Sequence, residues 1–250
     1  MVDTFDIGEL VRMSTYSHEG SHRHEGSHSR RHDSGVLGRY DYPTRFRIFE
    51  LVSVTVFVLS ASLFVVRLAS AIPPLRWTAV GELVLLGGVA LLVADFLSGL
   101  VHFLCDNLGT ADTPIVGRKF IQSFRDHHSD PQAMTRGDWV SVNADNLTVC
   151  LPVLVPASLW LDVSRYFYAS WFLLVLTGFI VITNQAHKWA HLDEPPVFAR
   201  LLQKGLLLSP ENHRLHHIAP YDRNYCITSG VLNPLLNHIG FWPWLLKLAA

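Results

Sequence analysis

The apolar positions of this chain fall into long runs divided by polar stretches, and the runs define the expected elements. Residues 48–66 (IFELVSVTVFVLSASLFVV) carry one acid near their start and have the length that crosses the hydrocarbon core of a bilayer as a helix. Pro73-Pro74 breaks the chain, and Ala79–Leu104 then predicts a second span, with Glu82 near its start and Asp95 well inside it. Leu147–Leu161 is shorter and contains Pro152 and Pro156, so it reads as a kinked span or a re-entrant element. Tyr166–Thr183 predicts a fourth span, with Tyr166, Tyr168 and Trp171 as interfacial anchors. Val197–Leu208 has the pattern of an amphipathic helix on the membrane surface. Ile227–Leu246 is apolar but interrupted by Gly230, Pro234, Gly240 and Pro243, and is not read as spanning. The expected fold is an all-α membrane protein with about four transmembrane helices and a polar cap on one side.

Residues 1–44 contrast with everything after them. They are rich in Ser, Gly, His and Arg, and repeat His18-Glu-Gly-Ser-His22 as His24-Glu-Gly-Ser-His28. Such a stretch buries too little apolar surface to offset its ordering entropy, so it is expected to be a disordered, solvated tail. It also lacks an apolar core of signal-peptide length. Residues 45–250 are expected to form a single membrane domain. Composition agrees: 49% of the chain is hydrophobic, 16% is charged and mean hydropathy is +0.24, greasier than a soluble domain. A net charge of −1 gives no electrostatic case for nucleic acid. Cys105, Cys150 and Cys226 form no CxxC pair, which argues against a disulfide scaffold or a thiolate zinc site. Four spans put the N-terminus, the 105–145 loop and the C-terminal region on one side. That side holds 17 of the 20 Lys and Arg residues and is therefore expected to be cytoplasmic.

The same side collects the histidines. His213-Arg-Leu-His-His217 places imidazoles at i, i+3 and i+4, on one side of a helix turning about 100° per residue. Each neutral ring offers one nitrogen lone pair, so three of them make a metal claw. The alternative is a surface helix that is merely rich in histidine. His187 and His191 share a helical face at i, i+4, with Asn184 beside them. His127 and His128 are adjacent, diverge by about 100° on a helix, and can serve two metals or straddle one. Asp95, His102 and Asp106 lie within about 20° of one face. An acid inside a span is costly unless paired, so Asp95 is a functional candidate, or else a structural hydrogen-bonding group that orients a neighbour such as His102. Eight histidines on one side exceed one mononuclear site and suit two metals with open positions. Imidazole-rich ligation without thiolate suits iron, copper or zinc, and a di-iron centre for oxygen chemistry is favoured.

Several stretches carry a resemblance. HisXXXHis and HisXXHisHis clusters flanking spans are similar to those of the membrane desaturase and hydroxylase superfamily. Ala94-Asp-Phe-Leu-Ser-Gly-Leu-Val-His102, Phe124-Arg-Asp-His-His-Ser-Asp-Pro131, Thr183-Asn-Gln-Ala-His-Lys-Trp-Ala-His191, His213-Arg-Leu-His-His217 and Ile239-Gly-Phe-Trp242 resemble the plasmanylethanolamine desaturase (Kua) family over about residues 45–245. Phe103 departs from the family pattern, where Trp is expected, and His238 matches no family histidine.

The resemblance implies oxygen-dependent removal of two hydrogens from the 1-O-alkyl chain of an ether phospholipid, giving the vinyl ether of a plasmalogen. It implies metal ligation by His102, His127, His128, His187, His191, His213, His216 and His217, with Asp106 as a ligand or supporting acid. It further implies two iron ions, O2 as co-substrate and a separate electron-transfer protein, cytochrome b5-like or ferredoxin-like, because the chain holds no haem, flavin or iron–sulfur motif. The membrane would be a bacterial inner membrane or the endoplasmic reticulum. Arg118, Lys119, Arg125 and Arg136 are candidates to meet the lipid phosphate, or are ordinary positive-inside charge. Alternatives are a desaturase of a phospholipid acyl chain of the phosphatidylglycerol type, a metal transporter or sensor using the His-rich tail, and a zinc hydrolase.

Overall fold

The structure, a computed structural model, describes residues 44–249 apart from residue 75; the His-rich tail lies outside the described residues. Its regular elements are helical, with no strand among the described residues. Four helices are long and apolar enough to cross a membrane: α1 (Thr44–Ser70), α2 (Trp77–Asn107), a third over Trp139–Trp160 and a fourth over Phe167–Ala190. Between the second and third, a π-helical turn (Gly117–Ile121) leads into α3 (Gln122–Ser129) and the short α4 (Ala133–Arg136), so the long helices are α5 (Trp139–Trp160) and α6 (Phe167–Ala190). Then come α7 (Val197–Leu202), α8 (Pro210–His216), α9 (Asn233–His238) and α10 (Phe241–Ala249). α1 packs against α5, α2 against α6, and α5 against α6. Large side chains such as Leu59, Val66, Val84 and Leu85 point outward, as helices solvated by lipid require.

The third span is a full helix and begins eight residues before the apolar run does. Asp138 caps it by accepting from the Ser141 backbone N–H at 2.9 Å. The polar first turns hid it because their amides are spent on α6: Asn143 donates to the Gln185 side chain, Asn146 to the Ile180 carbonyl, and Asn184 returns a bond to the Val142 carbonyl. At the far end of the helix, Arg67 of α1 donates to the carbonyls of Ala157, Ser158 and Leu161, adding to the Leu161 N–H that already meets the Ala157 carbonyl.

Two expectations change on the other side. The helix expected over Val197–Leu208 ends at Leu202; the chain then turns, and Leu207 and Leu208 are buried against Trp189, Ala190, Ala199 and Ile227. One leucine-rich run thus serves two environments. Asp95 touches no imidazole. Its Oδ1 accepts the backbone N–H groups of Ser229 (2.7 Å) and Gly230 (2.8 Å), and its Oδ2 that of Leu232 (3.1 Å). Gly230 has φ +71°, and a side chain there would meet the Asn212 amide at 2.6 Å. Ser98, one turn along α2, accepts from the Ile227 and Thr228 N–H groups. The buried acid is therefore an anchor that staples the segment 227–232 onto α2.

Asp95→Leu keeps the side chain's bulk and leaves those donors without acceptors, so it should cost about 3 kcal/mol or more of stability. A thermal melt in detergent beside Asp95→Asn, which retains an acceptor oxygen, checks this: Leu should melt well below Asn.

Candidate metal centre

The cap that closes one end of the bundle gathers histidines from four elements. The end of α2 brings His102 and Asp106, α3 brings His127 and His128, the end of α6 brings His187 and His191, and α8 with its C-cap brings His213, His216 and His217. They sort into two groups, His127, His187, His191, His213 and His217 in one and His102, Asp106, His128 and His216 in the other, with donor atoms within 4.8 Å of one another in each. Helical geometry decides the sorting. Pairs at i, i+4 stay together: His187 with His191, His213 with His217, His102 with Asp106. The adjacent His127 and His128 part, one to each group. The His213–His217 motif is itself divided, because His216 belongs to the second group.

The donor atoms converge. The His213 Nε2 lies 2.8 Å from that of His187, 2.7 Å from that of His191 and 2.9 Å from that of His217. The Nε2 atoms of His127 and His191 are 2.9 Å apart. One ring nitrogen holds at most one proton, so these contacts cannot all be hydrogen bonds, and facing lone pairs repel. A shared cation removes the conflict. Nitrogen ligands about 2.1 Å from one centre and at right angles sit about 3 Å from each other, close to these separations and nearer than the roughly 3.4 Å of a tetrahedral set. In the second group, Asp106 Oδ2 lies 3.4 Å from His102 Nε2, 3.2 Å from His128 Nε2 and 3.4 Å from His216 Nε2. His102 Nε2 and Asp106 Oδ1 are buried without a hydrogen-bond partner. Both donor sets fit a metal ion. The cysteines, all buried, belong to neither.

Two rings are aimed by backbone that their motifs do not announce. His102 Nδ1 donates to the Tyr225 carbonyl at 3.1 Å and His216 Nδ1 to the Arg223 carbonyl at 2.7 Å. Each bond fixes the tautomer that leaves Nε2 free to face inward. The Tyr225 ring packs on His102 and His216, and the Tyr221 ring on His128. Carbonyl acceptors have no sequence signature, so Arg223 and Tyr225 escape a reading by residue type. A cleft of about 250 Å³, bordered by Gln132, His191, His213, Arg214 and His217, leads to the five-histidine group.

Burial keeps the outer rings neutral. His213 and His127 are pushed well below the ordinary imidazole value by burial first and by neighbouring imidazoles second. Burial likewise lowers His217 to about 3 and His191 to about 4. The candidate phosphate ligands are differently engaged. Lys119 pairs with Asp145 at 2.7 Å and Glu50 at 3.6 Å, Arg125 donates to the carbonyls of Cys105, Leu108 and Gly109 that end α2, and Arg136 pairs with Asp130. The Arg118 side chain lies outside the described residues.

A family model described as a lipid desaturase domain matches residues 91–249, a stretch that contains all nine clustered side chains. Plasmanylethanolamine desaturase of Myxococcus xanthus is 37% identical over 217 residues, covering 86% of this chain and 75% of that protein. Plasmanylethanolamine desaturase 1 of Mus musculus is 43% identical over 194 residues, covering 74% and 71%. Fatty acid desaturase 4, chloroplastic, of Arabidopsis thaliana is 36% identical over 162 residues, covering 62% and 48%. No solved structure matches the chain.

The division into two groups predicts a divided metal content. His213→Ala should lower the bound metal from about two equivalents to about one, read by elemental analysis of purified protein. The lowered imidazole pKa values set the sign of a pH effect on metal-free protein. Below about pH 6.5 the unfolded chain takes up protons that the buried rings refuse, so stability should fall as pH drops from 8 to 5. Melting temperatures measured across that range check the direction.

Proposed function

The chain belongs to the lipid desaturase family, and we propose that within it this enzyme converts the 1-O-alkyl chain of plasmanylethanolamine to the vinyl ether of a plasmalogen. The reading is supported by two grouped sets of inward-facing donors at the end of a four-helix membrane bundle, together with relatives of that name aligned along most of their length. His127, His187, His191, His213 and His217 would hold one iron, and His102, Asp106, His128 and His216 the other. Such a pair, when bound, supplies the activation of O2 that saturated C–H bonds require. Two hydrogens leave adjacent carbons of the alkyl chain, and O2 goes to water with further electrons and protons from outside. In this reading the electrons come from a separate carrier protein.

The protein's own part is orientation and dryness. The Tyr225 and Arg223 carbonyls hold His102 and His216 with Nε2 inward, so neither ring turns away when reactants enter. His102, His213 and His216 are 0–1% exposed, which shields the reacting region from bulk water. With the basic residues concentrated on the cap side, the site faces the cytoplasm. A second reading, removal of hydrogens from a phospholipid acyl chain, rests on the chloroplastic relative. The ether-lipid reading is preferred because those relatives share more of both chains.

Lipid mass spectrometry of a host supplied with alkyl-ether phospholipid should show vinyl ether only when the chain is expressed. His216→Ala should reduce the product by more than about 100-fold while the protein still inserts in the membrane. Undiminished vinyl ether in that variant would refute the ligand assignment, and an acyl double bond without vinyl ether would favour the second reading.

A further inference from the structure

A second cleft, of about 490 Å³, adjoins the one that reaches the histidines, and the two share Ala190, His191 and Pro210. Its volume falls in the range of small-molecule sites. It lies between the end of α6, α7 and the start of α8. Arg200 and Lys204 contribute cations, and Asp193 and Glu211 contribute carboxylates. None of these four side chains forms an ion pair within the site or with any other described residue. All four are exposed at the rim of the cleft and therefore accessible to a ligand that enters it.

Gln203 supplies an independent sign. It lines the same cleft, is 8% exposed, and its Nε2 is buried with no hydrogen-bond partner. A desolvated amide donor left without an acceptor is a standing cost, which a ligand oxygen removes. Beside the cleft, α7 exposes Val197, Phe198, Leu201 and Leu202, the apolar face an interfacial helix presents to lipid.

We infer that this cleft is the receptor for a zwitterionic phosphoethanolamine headgroup, with Arg200, Lys204 and Gln203 on the phosphate and Asp193 and Glu211 on the ammonium. The inference rests on the proposed ether-lipid reaction and extends it. In that substrate only the glycerol backbone separates the phosphate from the ether-linked carbon that loses hydrogen. The headgroup site must therefore border the metal site, and this cleft shares His191 with it. A primary ammonium donates hydrogen bonds to carboxylates, whereas a trimethylammonium cannot, so the acids discriminate ethanolamine from choline lipids.

The test is lipid retention by the purified full-length protein in detergent, read by native mass spectrometry. The probes are an alkyl-acyl phosphoethanolamine lipid, its choline counterpart and soluble phosphoethanolamine. Wild-type protein should hold the ethanolamine lipid about tenfold more tightly than the choline lipid. R200Q/K204Q should weaken both about tenfold, and D193N/E211Q should abolish only the preference. Q203E, nearly the same shape, should repel the phosphate and weaken both lipids. Equal retention of the two lipids by wild type, or unchanged retention in R200Q/K204Q and Q203E, overturns the inference. Soluble phosphoethanolamine binding as tightly as the lipid also overturns it, because the cleft would then serve a free phosphate ester. The readout is independent of turnover. Headgroup preference in a protein that makes no vinyl ether refutes the proposed reaction alone, and vinyl ether made without headgroup preference refutes this inference alone.

Discussion

Too many lone pairs point at too small a space: that is the constraint on which the cap depends. The His213 Nε2 faces three other imidazole nitrogens at 2.7–2.9 Å, and a metal-free arrangement has too few protons to reconcile them. The scaffold holds these groups in place by spending polar side chains on backbone. Asp95 and Ser98 fasten the segment 227–232 to α2, Arg125 completes the end of α2, and the amides of α5 and α6 lace those helices together. These bonds lie in or beside the spans, where an unmet backbone group has no water to turn to.

Much of this was legible because helical periodicity is simple. The four spans follow from apolar run length, and the i, i+3 and i+4 spacings single out His187, His191, His213, His216 and His217 as candidates, whereas the family was carried by whole motif stretches such as Phe124–Pro131 rather than by periodicity. What was not legible has a common cause: one-letter character does not reveal where a backbone group goes. The third span looked short because Asn143, Asn146 and Asp145 read as loop residues, yet the asparagines are paired to α6 and the aspartate to Lys119. Asp95 read either as a functional candidate or as a structural hydrogen-bonding group, because an acid in a span is costly; its partners are three peptide N–H groups that no motif marks. The leucines after Gln203 looked like one amphipathic face, but the chain turns and splits them between surface and core.

The basic residues carry a related lesson. In the sequence, Lys119, Arg125 and Arg136 read either as candidates for the lipid phosphate or as ordinary positive-inside charge. The structure pairs Lys119 with the half-buried Asp145 and Arg136 with the exposed Asp130 and turns Arg125 to the end of α2, while Arg200 and Lys204, which form no ion pair among the described residues, lie on a segment whose sequence pattern reads as a surface helix. A charge is available for recognition only after the fold's own demands on it have been met.

The staple between α2 and residues 227–232 also fixes an order of events in biosynthesis. His102 leaves the ribosome early and enters the membrane with the second span, but the carbonyl that orients it, that of Tyr225, comes from near the chain's end. His216 likewise waits for the Arg223 carbonyl. The spans can insert and pack while the cap remains open, and translation must pass residue 232 before both donor groups are in register. Premature termination anywhere upstream of this staple would leave an inserted protein with loose imidazoles, a membrane bundle without a workable centre.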